Sequence, residues 1–92
     1  MKISIFGSGY VGLVQAAVFA DVGHQVTCMD VDASRIERLR AGDVPFYEPG
    51  LEDKVSAGVD QGLLTFTTDI RQAVQVSDYL FICVGTPAGD DG

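Results

Sequence analysis

The sequence has 92 residues, of which 47% are hydrophobic and 21% charged, a composition typical of a single small globular domain. Thirteen acidic against six basic residues give a formal net charge of −7, which disfavours nucleic acids and anionic membranes as partners because it repels phosphate groups. No apolar stretch approaches the roughly 20 residues of a membrane span, and the short apolar start lacks the core of a signal peptide. We therefore expect a cytoplasmic protein.

The first half of the chain predicts two strands that alternate with two helices. A run rich in β-branched residues predicts a buried strand over Lys2–Phe6, and an almost wholly apolar stretch with small residues predicts a helix over Tyr10–Val22. A second strand is expected over Gln25–Asp30. A second helix is expected over Ala33–Ala41, ended by a glycine.

The second half repeats this alternation after a loop. Two prolines and a glycine predict an ordered loop over Asp43–Gly50, and a short helix is expected to follow over Leu51–Val59. The β-prone segment Leu63–Thr67 predicts a third strand. A helix capped by Asp69 is expected to run to about Val76, and Tyr79–Val84 predicts the fourth strand.

Apolar residues within the predicted helices are expected to face the sheet: Ile36 and Leu39 in the second helix, and Ala73 and Val74 in the last. Strands that alternate with helices imply right-handed crossovers and a parallel sheet. We therefore predict the α/β class: a Rossmann-like half-domain with the order β1-α-β2-α-β3-α-β4 and the spatial strand order 3-2-1-4.

The segment GSGYVG, residues 7–12, matches the pattern GxGxxG. The pattern alone is a weak signal, but here it follows a predicted strand, opens a predicted helix and precedes Asp30 by 18 residues, counted from Gly12. That context is the dinucleotide-binding fingerprint. The alternative is a strand-to-helix turn with no ligand.

Each position of the fingerprint has a physical task. Gly7 permits the tight turn, Gly9 lets the backbone approach a pyrophosphate, and Gly12 lets the helix lie close to the strand. The backbone N–H groups of Tyr10 and Val11, at the start of the helix, are expected to bind phosphate oxygens with help from the helix dipole. Anion binding by an acidic protein is thereby explained.

Asp30 stands at the expected end of the second strand. Its carboxylate can accept hydrogen bonds from both hydroxyls of the adenosine ribose, while its charge repels the 2′-phosphate of NADP, so the predicted cofactor is NAD. Asp32 could share this role, but it is better interpreted as the N-cap of the following helix.

Two further residues are candidates at the cofactor site. Arg35 lies in the first turn of its helix, where a cation opposes the dipole, so it either covers the adenosine end of the cofactor or is a solvated side chain. Thr86 lies in a tight turn after the fourth strand, at the edge where open α/β sheets bind ligands. It either bonds the cofactor or satisfies its own turn.

The cysteines and the histidine offer no catalytic or metal-binding pattern. Cys28 and Cys83 lie in apolar strand runs, which favours burial as small hydrophobic side chains, and His24 lies in a turn without a partner at catalytic spacing. We expect no metal site and no catalytic residue within these 92 residues.

Three segments together carry a family resemblance: GSGYVGLVQAAVFADVGHQVTCMDVD, RIERLRAGDVPFYEPGL and FICVGTP. With them, the chain resembles the start of members of the UDP-glucose/GDP-mannose dehydrogenase family from Lys2 to Pro87. The resemblance implies that Val11, Asp30 and Arg35 contact NAD, together with Thr86. The EPGL segment, within the loop Pro45–Leu51, matches a landmark of the family. The residues do not indicate what role this landmark has.

The resemblance also implies a reaction. The family oxidises the C6 hydroxymethyl group of a nucleotide sugar to a carboxylate with two NAD and a cysteine that lies beyond the fourth strand. We accordingly expect residues 1–92 to be the N-terminal part of an NAD-binding domain, inactive alone, in a homo-oligomeric enzyme for UDP-glucose. GDP-mannose or UDP-N-acetylmannosamine are the alternative substrates. A stand-alone module that binds NAD or an adenine nucleotide, or a piece that folds only by pairing with a second copy, stays open.

Overall fold

The computed structural model describes residues 1–44 and 49–83. Within these residues the sheet has four parallel strands: β1 Lys2–Phe6, β2 Gln25–Met29, β3 Leu64–Thr67 and β4 Tyr79–Ile82. Their spatial order is β3-β2-β1-β4. The predicted fold class and the predicted strand order 3-2-1-4 are both confirmed.

In the part of the chain that the structure describes, four helices connect the strands: α1 Tyr10–Asp21, α2 Ala33–Arg40, α3 Leu51–Asp60 and α4 Ile70–Val76. Each predicted helix is present, and its ends differ from the prediction by at most one residue. Within the described ranges, none of these helices is long and apolar enough to cross a membrane.

The two faces of the sheet are covered differently. The hydroxyl of Ser4 in β1 donates to the carbonyl of Ala73 in α4, so Ser4 faces α4, and its neighbours in the strand face the other way because side chains alternate. On that second face the buried core joins β1–β3 to α1, α2 and α3. Its strand residues are Ile3, Ile5, Val26, Cys28, Leu64 and Phe66.

The inward-facing residues of the helices were predicted with one error. Ile36, Leu39 and Ala73 are buried as expected, but the side chain of Val74 is 49% exposed. Helix α4 has only seven residues, and consecutive helical positions point about 100° apart. A helix this short presents one narrow stripe to the sheet, and Ala73 occupies it.

Aspartates start two of the helices. The carboxylate of Asp32 accepts the N–H of Arg35 at 3.1 Å, and that of Asp69 accepts the N–H groups of Arg71 and Gln72 at 3.0 and 3.2 Å. Both predicted N-caps are therefore confirmed, and both satisfy donors that the first turn of a helix leaves without an intrahelical acceptor.

Candidate dinucleotide-binding site

A glycine turn joins the carboxyl end of β1 to α1. Gly7 has φ +103°, a conformation that residues with a Cβ rarely adopt, and its N–H donates to the carbonyl of Met29 at 2.7 Å. The turn is thus tied to the end of β2. The tight turn predicted at Gly7 is present.

Gly12 brings α1 against that turn. A Cβ at Gly12 would collide with the carbonyl oxygen of Gly7 and would lie 3.4 Å from the Cβ of Cys83. The close approach of helix to strand that the sequence predicts at Gly12 is therefore observed, and it depends on the missing side chain.

The start of α1 is open to a ligand. Gly9 is the N-cap residue and provides no side-chain cap, and a Cβ built on it meets nothing within 4 Å. The N–H groups of Val11 and Gly12 lie in the first turn, where a helix provides no acceptor for them. Since the first turn contains no acidic residue, the partial positive charge of the helix end is not offset by one there.

The carboxylate of Asp30 lies beside the glycine turn, one residue beyond the end of β2. Its Oδ2 accepts the backbone N–H of Ser8 at 2.8 Å and the hydroxyl of Ser8 at 2.7 Å. Its Oδ1 accepts the N–H of Asp32 at 3.0 Å. Three hydrogen bonds therefore hold this carboxylate at the carboxyl edge of the sheet.

These contacts set the ionisation of Asp30. Burial by itself raises the pKa of this carboxyl, but the backbone N–H groups of Ser8 and Asp32, the Ser8 hydroxyl and the charge of Arg35 together outweigh it. The pKa of Asp30 is consequently lower than its ordinary value. Asp30 is an anion at neutral pH.

Arg35 lies next to this anion. Its Nη1 is 3.7 Å from Oδ2 of Asp30, and its side chain is 39% exposed. The guanidinium thus forms a loose ion pair at the cleft while part of the side chain remains in solvent. This position fits either of the two roles considered for Arg35, and it leaves guanidinium donors available to a ligand.

A cleft of about 320 Å³ connects these groups. It lies at the carboxyl edge of the sheet, where open α/β sheets bind their ligands. Its walls combine four predicted site residues with apolar side chains: Gly7, Gly9, Asp30 and Arg35, with Phe6, Met29, Val31, Ile82 and Cys83. Tyr10, Val11 and Gly12 begin the helix behind Gly9. Thr86 lies outside the described residues, as do residues 45–48 of the loop that carries the EPGL segment.

A second cleft, of about 220 Å³, lies at the opposite edge, and residues at the amino ends of β1 and β2, such as Lys2 and Gln25, line it. Parallel sheets bind ligands at the carboxyl ends of their strands, so we assign no dinucleotide to it. In the part of the chain that the structure describes, no group of three or more His, Cys, Asp or Glu side chains could hold a metal ion.

Sequence reasoning missed two residues of this site. Ser8 is a variable position of the glycine pattern, and the available signal was a polar side chain between two glycines, opposite an acidic strand end. Cys83 was expected to be buried as a small hydrophobic residue, but it is only half-buried and lines the cleft. It directly follows edge strand β4, which is covered less than the central strands.

The arrangement fits a dinucleotide. The open start of α1 offers backbone donors to a pyrophosphate, the absent side chain of Gly9 leaves room for one, and Asp30 offers a carboxylate acceptor to a ribose hydroxyl. Apolar walls from β1, β2 and β4 complete a cleft suited to an aromatic base.

Comparison with known proteins agrees with this interpretation. The family model for the NAD-binding domain of the UDP-glucose/GDP-mannose dehydrogenases matches residues 1–92. UDP-glucose 6-dehydrogenase of Rhizobium meliloti is 50% identical over 88 residues, which is 96% of this chain and 20% of that protein. GDP-mannose 6-dehydrogenase of Pseudomonas aeruginosa is 47% identical over 92 residues, which is 100% of this chain and 21% of that protein.

Solved structures give the same result. A ternary complex of GDP-mannose dehydrogenase from Pseudomonas aeruginosa superposes with a TM-score of 0.91 at 48% identity, over 95% of this chain and 20% of that one. A UDP-glucose dehydrogenase from Pyrobaculum islandicum superposes with a TM-score of 0.87 at 46% identity, over 92% of this chain and 20% of that one. The chain spans about a fifth of the length of these relatives. The predicted cofactor, NAD, is confirmed by the family description, and this chain, which matches the family's NAD-binding domain, belongs to the UDP-glucose/GDP-mannose dehydrogenase family.

Proposed function

We propose that the cleft at the carboxyl edge of the sheet is where this chain holds NAD. The observation that carries the proposal is the placement of an ionised, triply hydrogen-bonded Asp30 beside the uncapped start of α1. Pyrophosphate lies against the N–H groups that open α1. The proposed contacts are Gly7, Gly9, Tyr10, Val11, Gly12, Asp30, Arg35 and Thr86.

Asp30 selects NAD against NADP in this proposal. The carboxylate accepts a ribose hydroxyl in NAD, whereas the 2′-phosphate of NADP would meet a negative charge that is only 13% exposed and so poorly screened by solvent. Arg35 remains close enough to Asp30 to neutralise part of this charge. It lies on the adenosine side of the cleft, where its guanidinium covers the base.

The protein that contains this chain acts, in our proposal, as a dehydrogenase of UDP-glucose. Three relatives named UDP-glucose 6-dehydrogenase share 47–50% of residues with the chain. Oxidising a hydroxymethyl group to a carboxylate removes four electrons, so one sugar consumes two NAD, each of which accepts two. The residues described here bind and orient the cofactor, and the catalytic groups belong to the remainder of the protein. A stand-alone binding module is disfavoured because the relatives are dehydrogenases about five times longer.

GDP-mannose is the second candidate substrate. The supporting observation is that a GDP-mannose dehydrogenase shares 48% of residues and superposes with a TM-score of 0.91, values no lower than those of the UDP-glucose enzyme from Pyrobaculum islandicum. UDP-N-acetylmannosamine ranks third, because the dehydrogenases of that name are 30–32% identical.

We also propose that the protein works in the cytoplasm as a homo-oligomer. Free Cys28 and Cys83 suit a reducing compartment. The apolar residues of β4 are exposed, which is typical of a surface that contacts other protein. The contacting surface is either another part of the same protein or a second copy of it.

The test is turnover by the full-length protein. UDP-glucose, GDP-mannose and UDP-N-acetylmannosamine are each supplied with NAD or NADP, and formation of the reduced nicotinamide is followed by absorbance. We expect UDP-glucose with NAD to be the best pair and to yield two reduced cofactors per sugar. Oxidation of GDP-mannose alone would favour the second candidate, and preference for NADP would refute the role of Asp30.

A further inference from the structure

Ser8 is completely buried, with 0% of its surface exposed, although it lies in the glycine turn at the edge of the cleft. Its hydroxyl and its backbone N–H both donate to Oδ2 of Asp30, at 2.7 and 2.8 Å. A buried hydroxyl needs a hydrogen-bond partner, and here the partner is the side chain assigned to the cofactor.

These bonds restrict what the carboxylate can do. An ionised carboxylate has about four lone-pair positions. Ser8 occupies two on Oδ2, and the N–H of Asp32 occupies one on Oδ1 at 3.0 Å. The remaining position is on Oδ1, so Asp30 has one acceptor site that a ribose hydroxyl can use without displacing a protein donor.

The Ser8 hydroxyl also favours the charged form of Asp30. It donates to a carboxylate oxygen, and its bond is one of the causes that lower the pKa of this group against the effect of burial. Both the orientation and the charge of Asp30 therefore depend on a neighbour that is itself buried.

We propose that Ser8 is a positioning residue: its hydroxyl fixes Asp30 with Oδ1 directed to the ribose and thereby sharpens selection of NAD against NADP. This inference rests on the proposed function. Ser8 does not touch the cofactor in this account, since its hydroxyl is directed to Asp30.

The test uses calorimetric titration of the full-length protein with NAD and with NADP, between about pH 3 and about pH 8. The variant is Ser8→Ala, which removes the hydroxyl and keeps the backbone N–H. The matched control is Ser4→Ala, because Ser4 is equally buried and its hydroxyl donates to the carbonyl of Ala73, away from Asp30.

We expect Ser8→Ala to raise the Kd for NAD by about tenfold, the factor that corresponds to about 1.4 kcal/mol, and to raise the Kd for NADP by less. NAD affinity should also begin to fall at a higher pH, because the carboxyl loses a donor that favours ionisation. Ser4→Ala should lower the melting temperature and leave both Kd values and the pH profile unchanged. A purely structural role for Ser8 would not move the pH profile.

The possible results distinguish failure of the proposed NAD binding from failure of the proposed role of Ser8. If the unmodified protein does not bind NAD, the proposed function fails and the inference with it. If NAD binds and Ser8→Ala matches Ser4→Ala in the NAD-to-NADP ratio and the pH profile, the inference alone is overturned. Should Ser8→Ala not fold, Ser8→Cys replaces it. Its thiol is a weaker donor, so an unchanged Kd ratio and pH profile would again overturn the inference.

Discussion

Gly9 and Gly12 are both glycines of the same turn, yet they lack a side chain for different reasons. At Gly12 the protein itself occupies the space, since a Cβ there collides with the carbonyl of Gly7. At Gly9 nothing lies within 4 Å of that position, and the space faces the cleft. Gly12 is thus needed for packing within the fold, and Gly9 leaves room for the proposed ligand.

Gly12→Ala should therefore destabilise the protein by about 2 kcal/mol or more, as overpacking in a close contact does. Urea unfolding of the variant measures this. Gly9→Ala is the matched control and should change the free energy of unfolding by less than about 1 kcal/mol, while the affinity for NAD falls. Equal stability of the two variants would contradict the distinction.

Asp30 should make stability depend on pH. Its pKa in the folded protein is lower than its ordinary value, so its contribution is complete above the ordinary aspartate pKa, about 3.9, and is lost as the pH falls through the folded pKa. Asp30→Asn should cost about 1 to 3 kcal/mol at neutral pH, and this cost should shrink in acid.

Urea unfolding at about pH 7 and about pH 3 measures that difference. The control is Asp43→Asn, whose partner Arg38 forms an exposed pair with it at 3.1 Å and which should cost less than about 1 kcal/mol. A cost for Asp30→Asn that is the same at both pH values would show that the hydrogen bonds of Asp30 do not lower its pKa.

For individual residues, the sequence predicted which positions form the site better than it predicted which residues contact them. Asp30 and the glycines follow from spacing alone, because the fingerprint fixes where a strand ends and a helix begins. Ser8 does not, because its importance depends on a contact across 22 positions of the chain. Thr86 lies outside the described residues, so its role remains a prediction.

Among the elements, α4 depends most on its cap. It has seven residues and starts with Asp69, whose carboxylate accepts two N–H groups. Asp69→Ala should cost about 1 kcal/mol, and Asp69→Asn should cost much less because it retains an acceptor oxygen. Thermal unfolding of both variants checks the prediction, and an equal loss in both would indicate that charge rather than capping stabilises α4.

The predicted helices and strands agree closely with the structure where glycines and caps mark their ends. Asp32 and Asp69 have local signals for a helix start. The prediction that Val74 faces inward was wrong. Burial in α4 depends on how much of the helix the sheet covers, and a sequence pattern of seven residues does not define that coverage. Strand β2 ends at Met29 rather than at the predicted Asp30, although the N–H of Asp30 still donates to the carbonyl of Thr67 at 3.1 Å.

Among the described strands, β4 is the one whose apolar residues are all exposed. Tyr79, Leu80, Phe81 and Ile82 are all exposed, and a strand at the edge of a sheet offers unpaired backbone groups to another chain. We therefore expect the 92-residue chain, prepared alone, to self-associate. Replacing Leu80 and Ile82 by lysine should keep it monomeric, as light scattering would show. Association unchanged by both lysines would place the contact elsewhere.

The order of the strands was predictable because alternating strands and helices with right-handed crossovers permit few arrangements. The cleft was predictable only in its position, at the carboxyl edge. Its apolar lining includes Ile82 of β4 and the half-buried Cys83. Both positions depend on tertiary packing, which no local pattern in the sequence predicts.

In our proposal Asp30 receives the ribose of NAD at this cleft, and calorimetry of the full-length protein is the experiment to make first. Unmodified protein and Asp30→Ala are each titrated with NAD and with NADP. We expect saturable binding of NAD by the unmodified protein, weaker binding of NADP, and loss of this preference in Asp30→Ala. Equal affinity of the two proteins for NAD, or tighter binding of NADP by the unmodified protein, would contradict it.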